Sequence, residues 1–319
     1  MADRYSRQIT YMRISVTDLC NMRCQYCMPE EGVEKRTHED LLSFEEIVSI
    51  VKASVPLGIR KIRITGGEPL VRNGIVSLVE QLRQINGIEE IAMTTNGTLL
   101  KSMAKPLKEA GLNRFNISID SLKEDRYREI TRGGRLSDVL EGIETVLSLG
   151  MTPLKLNTVV IGGLNDDEVK DFTSLTINEH IDVRFIELMP VGEASQWAEN
   201  RFISNDVLLE KLGFLLTEQR ENGSPAQYYR LPGAMGRVGF INPISHHFCH
   251  ECNRIRLTSD GRLKPCLHSN DEIDLRSVLH QPASQITKVI AQAIDRKPER
   301  HQLDQDERCT SRNMCQIGG

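Results

Sequence analysis

The residues of this chain most able to do chemistry are its eight cysteines, and they are clustered. Three lie on one short stretch, Cys20-Asn-Met-Arg-Cys24-Gln-Tyr-Cys27; Cys249, Cys252 and Cys266 form a second group; Cys309 and Cys315 lie in the tail. Three thiolates on a compact loop can wrap one iron–sulfur cube. A four-iron cluster usually takes four cysteines, so three leave one iron open to a small molecule. The alternative is structural zinc, which wants four protein ligands and usually two separated cysteine pairs; no histidine lies in the first loop. In the second group zinc is a stronger alternative, because His246, His247, His250 and His268 are near in sequence and could complete a Cys3His set. Asn253–Thr258 follows directly and, as a strand, puts Arg254 and Arg256 on one face beside that group. Two planar guanidinium groups there make a phosphate clamp, unless they are merely solvated surface arginines.

The opening MADRYSRQIT has neither a signal-peptide core nor an Arg-rich transit pattern, and no apolar run approaches the length of a membrane span. A cytoplasmic chain is expected, in a compartment where thiols stay reduced, so metal or redox chemistry explains the cysteines better than disulfides. Hydrophobic residues make up 39% and charged residues 26%, as in a soluble globular protein. Forty Lys+Arg against 44 Asp+Glu give a net charge of -4, which argues against a nonspecific nucleic-acid binder and requires any anionic ligand to be held by local positive charge.

The elements that must position these groups follow from periodicity. Short β-branched runs at Arg13–Thr17, Lys61–Thr65, Ala92–Asn96, Asn116–Asp120, Leu154–Val160 and Val183–Met189 alternate with amphipathic stretches, the pattern of repeated βα units. Ser43 with Glu46 forms a capping box at the start of one helix, and Gly58, Gly111 and Gly150 stop others. About six units predict an α/β fold with an incomplete (βα)6 barrel over residues 1–190. A smaller C-terminal cap over residues 191–319 carries the second cysteine group, with a capped helix near Ser204–Leu212 and strands near Tyr228–Leu231 and Arg237–Phe240.

At a period of two, one strand face carries Arg13, Ser15 and Thr17, then Lys61, Arg63 and Thr65, then Thr94 and Asn96, then Asn116, Ser118 and Asp120, then Lys155 and Asn157. The other face is apolar and is needed by the helices, so the polar face is left to line an interior cavity. An antiparallel sheet with one solvated face would show the same alternation, but the intervening helices favour parallel strands. On the sixth strand Arg184 has opposite parity to Glu187 and Met189, so both groups face inward only if a bulge intervenes.

A C-x3-C-x2-C loop after the first strand, with Tyr26 before its last cysteine and Gly66-Gly67-Glu68-Pro69 after the second strand, resembles the radical S-adenosylmethionine enzymes. Two glycines permit close backbone approach, and Glu68 can hold an ammonium group. Further stretches resemble the GTP 3',8-cyclase family of molybdenum cofactor biosynthesis: RISVTDLCNMRCQYCMP, KIRITGGEPLVR, TTNG, NISIDSL, KLNTVVI, VRFIELMPVG, FCHECNRIRLTSDGRLKPCL and the terminal IGG. The resemblance implies two [4Fe-4S] clusters, one on Cys20, Cys24 and Cys27 and one on Cys249, Cys252 and Cys266. S-adenosyl-L-methionine would meet the first and the guanine of GTP the second. It places Arg13, Arg63, Thr94, Lys155, Arg254 and Arg256 at GTP-contacting positions, with Lys61 and Arg184 weaker candidates. Tyr26, Gly67, Ser118 and Met189 fall at S-adenosylmethionine-contacting positions.

The implied reaction removes hydrogen from the ribose 3' carbon, joins that carbon to C8 of guanine, and reduces and protonates the product. No side chain is assigned as the acid. The resemblance further implies an electron donor such as flavodoxin or ferredoxin and a downstream cyclic pyranopterin monophosphate synthase, with no nucleic acid and no membrane; a homodimer is left open. A radical peptide maturase with an auxiliary cluster is the alternative enzyme, and a nonenzymatic metal scaffold or electron carrier the alternative class. Beyond about Arg296 the charged tail is expected to lack its own core, with Cys309 and Cys315 as free thiols. The resemblance implies that Gly318 and Gly319 reach back into the active site, whereas chain ends usually fray.

Overall fold

A computed structural model describes residues 1–34, 36–192, 195–213, 215–219, 223–301 and 312–318. The six β-branched runs form β1 (Tyr11–Ser15), β2 (Lys61–Thr65), β3 (Glu90–Thr95), β4 (Arg114–Ser118), β5 (Leu154–Val160) and β6 (Ile181–Glu187). They pair in parallel in sequence order. β1, β3, β4 and β6 each begin two residues before the positions read from the sequence. Because that shift is even, the faces keep their assignment. The apolar face, including Ile14, Ile62, Ile64, Phe115, Ile117, Leu154 and Leu156, is fully buried.

The region after Pro190 contributes β7 (Leu216–Thr217), β8 (Ala226–Arg230), β9 (Val238–Ile241), β10 (Arg254–Leu257), β11 (Arg262–Lys264) and β12 (Ile273–Asp274). These do more than cap the sheet. β9 joins parallel to β6 and β10 joins parallel to β1, giving the order β12-β11-β10-β1-β2-β3-β4-β5-β6-β9-β8-β7 among the described residues. The sheet is therefore open, with β12 and β7 at its edges. No bulge interrupts the sixth strand, since β5 and β6 pair continuously from Leu154↔Ile181 to Val160↔Glu187. Arg184 and Glu187 both border the cavity, and the Glu187 carboxylate also accepts hydrogen bonds from the backbone of Asn205, Ile244 and Ser245. Met189 reaches the cavity because it lies past the strand end, where alternation no longer applies.

Between β1 and β2, helix Phe44–Ser54 starts at the expected capping box: the Ser43 hydroxyl accepts from Glu46 N at 3.1 Å, and the Glu46 carboxylate accepts from Ser43 N at 2.7 Å. Helix Asn205–Leu212 likewise begins at Ser204. Among the described residues no helix is long and apolar enough to cross a membrane.

Two loops at the C-terminal ends of β1 and β2 are clamped together. Gly67 N donates to Thr17 O at 2.7 Å, and Glu68 N donates to Leu19 O at 2.8 Å. A Cβ on Gly67 would lie 2.3 Å from Leu19 O and 2.6 Å from Asp18 O, so only glycine permits this approach. Cys20 is the next residue on the clamped strand-to-loop segment. Gly67→Ala should therefore destabilise the chain by about 1–3 kcal/mol in denaturant unfolding, as overpacking against fixed backbone does; an unchanged midpoint would show that the loops can part freely.

Candidate active site

The polar strand faces enclose a cavity of about 450 Å³. Every strand from β1 to β6 contributes to its wall, so the sheet must curl around it. Sequence-singled residues in the wall are Cys20, Cys24, Cys27, Cys249, Cys252 and Cys266; Arg13, Arg63, Thr94, Lys155, Arg254 and Arg256; Tyr26, Gly67, Ser118 and Met189; and also Lys61 and Arg184.

Glu68 does not join them. It is buried behind the wall, where its carboxylate accepts from Leu70 N at 3.0 Å, Thr95 Oγ1 at 2.7 Å and Asn96 N at 2.7 Å. These bonds give the carboxylate a structural role as well. It ties the loop after β2 to the end of β3, which a sequence motif read on its own could not reveal.

The strands set the two cysteine groups apart. Cys20, Cys24 and Cys27 follow the C-terminal end of β1, and Cys249 and Cys252 precede the N-terminal end of β10, its parallel neighbour. The groups therefore lie toward opposite ends of the strands, separated by roughly 16 Å of β structure at about 3.3 Å per residue. The first loop is held by Arg23 N and Gln25 N, which donate to the carbonyls of Thr131 and Ile130. Burial pushes the Cys20 thiol up to about 11 and Cys24 well above the ordinary value; for Cys27 a hydrogen bond with Cys315 and burial do the same. Thiols so placed ionise when a metal supplies positive charge. Among the described residues no three His, Cys, Asp or Glu side chains converge on a single metal ion. His246 instead contacts Asp206, and His250 lies 3.5 Å from Glu251.

Between the two groups runs a row of like charges. Strand register places Arg256 beside Arg13 and Arg13 beside Arg63, on β10, β1 and β2. Burial lowers the Arg13 guanidinium well below its ordinary value, aided by repulsion from Arg256 and Arg63; burial brings Arg63 and Arg256 down to about 10. With its amide oxygen turned toward them, Asn116 bridges Arg63 and Arg184. Arg63 Nε, Arg184 Nε, Thr94 Oγ1 and Asn157 Oδ1 are buried with no hydrogen-bond partner among the described residues. Orphaned polar atoms of this kind are rare in interiors, and here they line one cavity.

The tail enters the same space. Gly318 O accepts from Arg13 Nη2 at 2.8 Å and Arg256 Nη1 at 2.9 Å. Gly318 has φ +71°, and a Cβ there would lie 2.7 Å from Thr65 Cγ2. Gly319 and Cys309 lie outside the described residues. Met314, Cys315 and Ile317 are buried, and Met314 and Ile317 pack with Val191, so this part of the tail is held by the body of the chain and not by a core of its own. Cys315 is free, as expected, and touches Cys27.

Several wall residues escaped the sequence reading. Arg114 and Lys61 share Glu90, and Tyr26 Oη donates to Asp120 at 2.7 Å. Asp120 was on the polar face but had no assigned partner. Lys297, His301 and Cys315 come from the tail, where no periodicity marks them.

Burial lifts Glu68 to about 7, against three donors that favour its anion. A carboxyl raised in the fold contributes stability that is complete below the unfolded value of 4.5 and is lost as pH rises through about 7. Over that interval the metal-free wild-type chain should lose more stability in thermal unfolding than Glu68→Gln; equal slopes would contradict the burial argument.

The chain matches the model of the Radical SAM superfamily over residues 14–176 and that of Molybdenum Cofactor Synthesis C over residues 181–303. It is 62% identical to a GTP 3',8-cyclase of Alkaliphilus oremlandii, 59% to one of Alkaliphilus metalliredigens and 46% to one of Clostridium botulinum, with 100% of both chains covered each time. The fold is similar to that of Streptococcus suis SuiB bound to S-adenosylmethionine, with a TM-score of 0.60 at 13% identity, covering 95% of this chain and 77% of that one. It is also similar to anSMEcpe with bound AdoMet, with a TM-score of 0.51 at 16% identity, covering 86% and 78%. Full-length identity at this level, on a chain whose cavity gathers both cysteine groups and the arginines, leads to one conclusion: the chain belongs to the GTP 3',8-cyclase family of radical S-adenosylmethionine enzymes.

Proposed function

We propose that Cys20, Cys24 and Cys27 hold one [4Fe-4S] cluster, that Cys249, Cys252 and Cys266 hold a second, and that GTP lies between them along the polar strand faces. The chain is then a lyase that converts GTP to (8S)-3',8-cyclo-7,8-dihydroguanosine 5'-triphosphate, the first step of molybdenum cofactor biosynthesis. The observation that carries this reading is the row Arg63, Arg13 and Arg256 along the cavity wall, with orphaned polar atoms around it, set between two three-cysteine groups. Like charges on adjacent strands repel, and a polyanion is the ligand that turns this repulsion into attraction.

When bound, the first cluster with S-adenosylmethionine would supply the one-electron chemistry that removes a hydrogen atom from the ribose 3' carbon. The work of this chain is placement. Tyr26, Gly67, Ser118 and Met189 seat S-adenosylmethionine at the first cysteine loop. Arg13, Arg63, Arg254 and Arg256, with Thr94 and Lys155, seat the nucleotide, and Lys61 and Arg184 lie within the same wall. The new bond joins the 3' carbon to C8 of guanine, and one electron and one proton complete the product. Gly318, bonded to Arg13 and Arg256, holds the tail where it narrows the lumen around the reacting atoms. An electron donor such as flavodoxin or ferredoxin, and a cyclic pyranopterin monophosphate synthase taking up the product, belong to the same proposal.

Anaerobic incubation with GTP, S-adenosylmethionine and a reductant should give GTP-dependent 5'-deoxyadenosine and the cyclised nucleotide. Arg63→Ala should weaken GTP binding about 10–100-fold, the loss of a charge-assisted contact, while S-adenosylmethionine affinity is kept. Absence of cyclised product from the wild-type chain, or unchanged GTP affinity in Arg63→Ala, would overturn the reading of the lumen.

A further inference from the structure

A buried lysine outside the strands points to how the second cysteine group is held. Lys297 follows helix Ala283–Asp295 in a stretch with no apolar pattern, yet it is 3% exposed. Its Nζ donates to Arg254 O at 2.9 Å and to Pro265 O at 2.8 Å. Arg254 stands two residues after Cys252, and Pro265 immediately before Cys266, so one ammonium bridges the two chain segments that carry the group. Both oxygens belong to neutral carbonyls and leave the positive charge uncancelled. The third contact of Lys297 is the Cys252 sulfur itself.

The rest of the segment continues the pattern. The backbone N–H of His301 donates to the Cys249 sulfur, and the His301 ring pairs through Nε2 with Pro243 O at 2.8 Å. Arg7 fastens the segment from outside. Its Nη1 donates to Cys249 O at 2.8 Å and Glu299 O at 3.0 Å, and its Nη2 to Pro298 O at 2.7 Å. Arg7 is itself fixed by a buried ion pair with Asp3 at 2.6 Å. The N-terminus, the cysteine segment and residues 297–301 thus form one hydrogen-bonded unit.

We propose that the Lys297–His301 segment is the outer support of the second cluster, with Lys297 as the positioning residue that spaces Cys252 from Cys266 and sets the cluster's reduction potential. The proposal rests on the two-cluster reading above. Hydrogen bonds and cations at ligand sulfurs tune an iron–sulfur centre, because they favour the reduced state, which carries one more negative charge.

The test compares full-length wild type, Lys297→Gln and Lys297→Arg after anaerobic reconstitution, by iron content and by redox titration followed with electron paramagnetic resonance. Signals that move with S-adenosylmethionine are assigned to the first cluster and those that move with GTP to the second. Wild type should carry about eight irons. Lys297→Gln keeps an N–H donor on a side chain one bond shorter and drops the charge. It should shift the second cluster to a more negative potential and leave the first unchanged, and Lys297→Arg should restore the wild-type value. Selective loss of iron from the second site in Lys297→Gln, recovered in Lys297→Arg, supports the spacing role equally. An unmoved second potential with full iron content, or equal changes at both clusters, overturns this proposal and leaves the two-cluster reading standing. A wild-type protein with only one cluster overturns that reading and this proposal with it.

Discussion

The structure depends on like charges that strand register forces side by side. Arg256, Arg13 and Arg63 sit side by side on three adjacent parallel strands, within a cavity rather than at the surface. Neighbouring strands lie about 4.8 Å apart, and like charges directly opposite each other cost stability. Burial adds a larger penalty, because the interior solvates charge poorly. The register that enforces this arrangement is fixed by the opposite, fully apolar face: slipping one strand by one residue would turn its core residues into the lumen. The hydrophobic core thus holds the arginines together, and the row they form suits a ligand bearing phosphates.

The same strands explain why the two cysteine groups do not merge. Parallel pairing of β1 and β10 sends the loop after one and the loop before the other to opposite ends. Each group is then braced locally by different means. At the first, the Gly67 backbone packs directly on Leu19, and Glu68 and Asn96 tie β2 to β3. At the second, Lys297 and Arg7 bind carbonyls of the cysteine-bearing segments. The tail crosses between them, with Cys315 against Cys27 and Gly318 on the arginine row.

Much of this was legible in the sequence because it follows from period and spacing. Alternation alone put Arg13, Arg63, Thr94, Ser118 and Lys155 on one face, and strand starts that fall two residues earlier cannot disturb a period of two. Cysteine spacing separated the two groups. What stayed hidden depends on contacts between distant segments. Glu68 turned into the wall because Thr95 and Asn96 on another strand offer donors. The parity conflict on β6 dissolved because Met189 lies beyond the strand, not because the ladder bulges. Lys297 and Cys315 carry no pattern at all, since the tail is placed by the cavity it fills and not by its own periodicity. The cap region, read as separate, gives strands to both edges of the sheet because β9 and β10 find unpaired edges at β6 and β1.

The central claim is that two incompletely ligated clusters face each other across a cationic lumen, each receiving a different small molecule. Electron–nuclear double resonance on the reduced, anaerobic protein tests it most directly, with nitrogen-15 placed first in the guanine of GTP and then in the amino group of S-adenosylmethionine. The account predicts nitrogen coupling from GTP at one cluster only and from S-adenosylmethionine at the other only. Coupling of both molecules to the same cluster, or of neither to any, would contradict it.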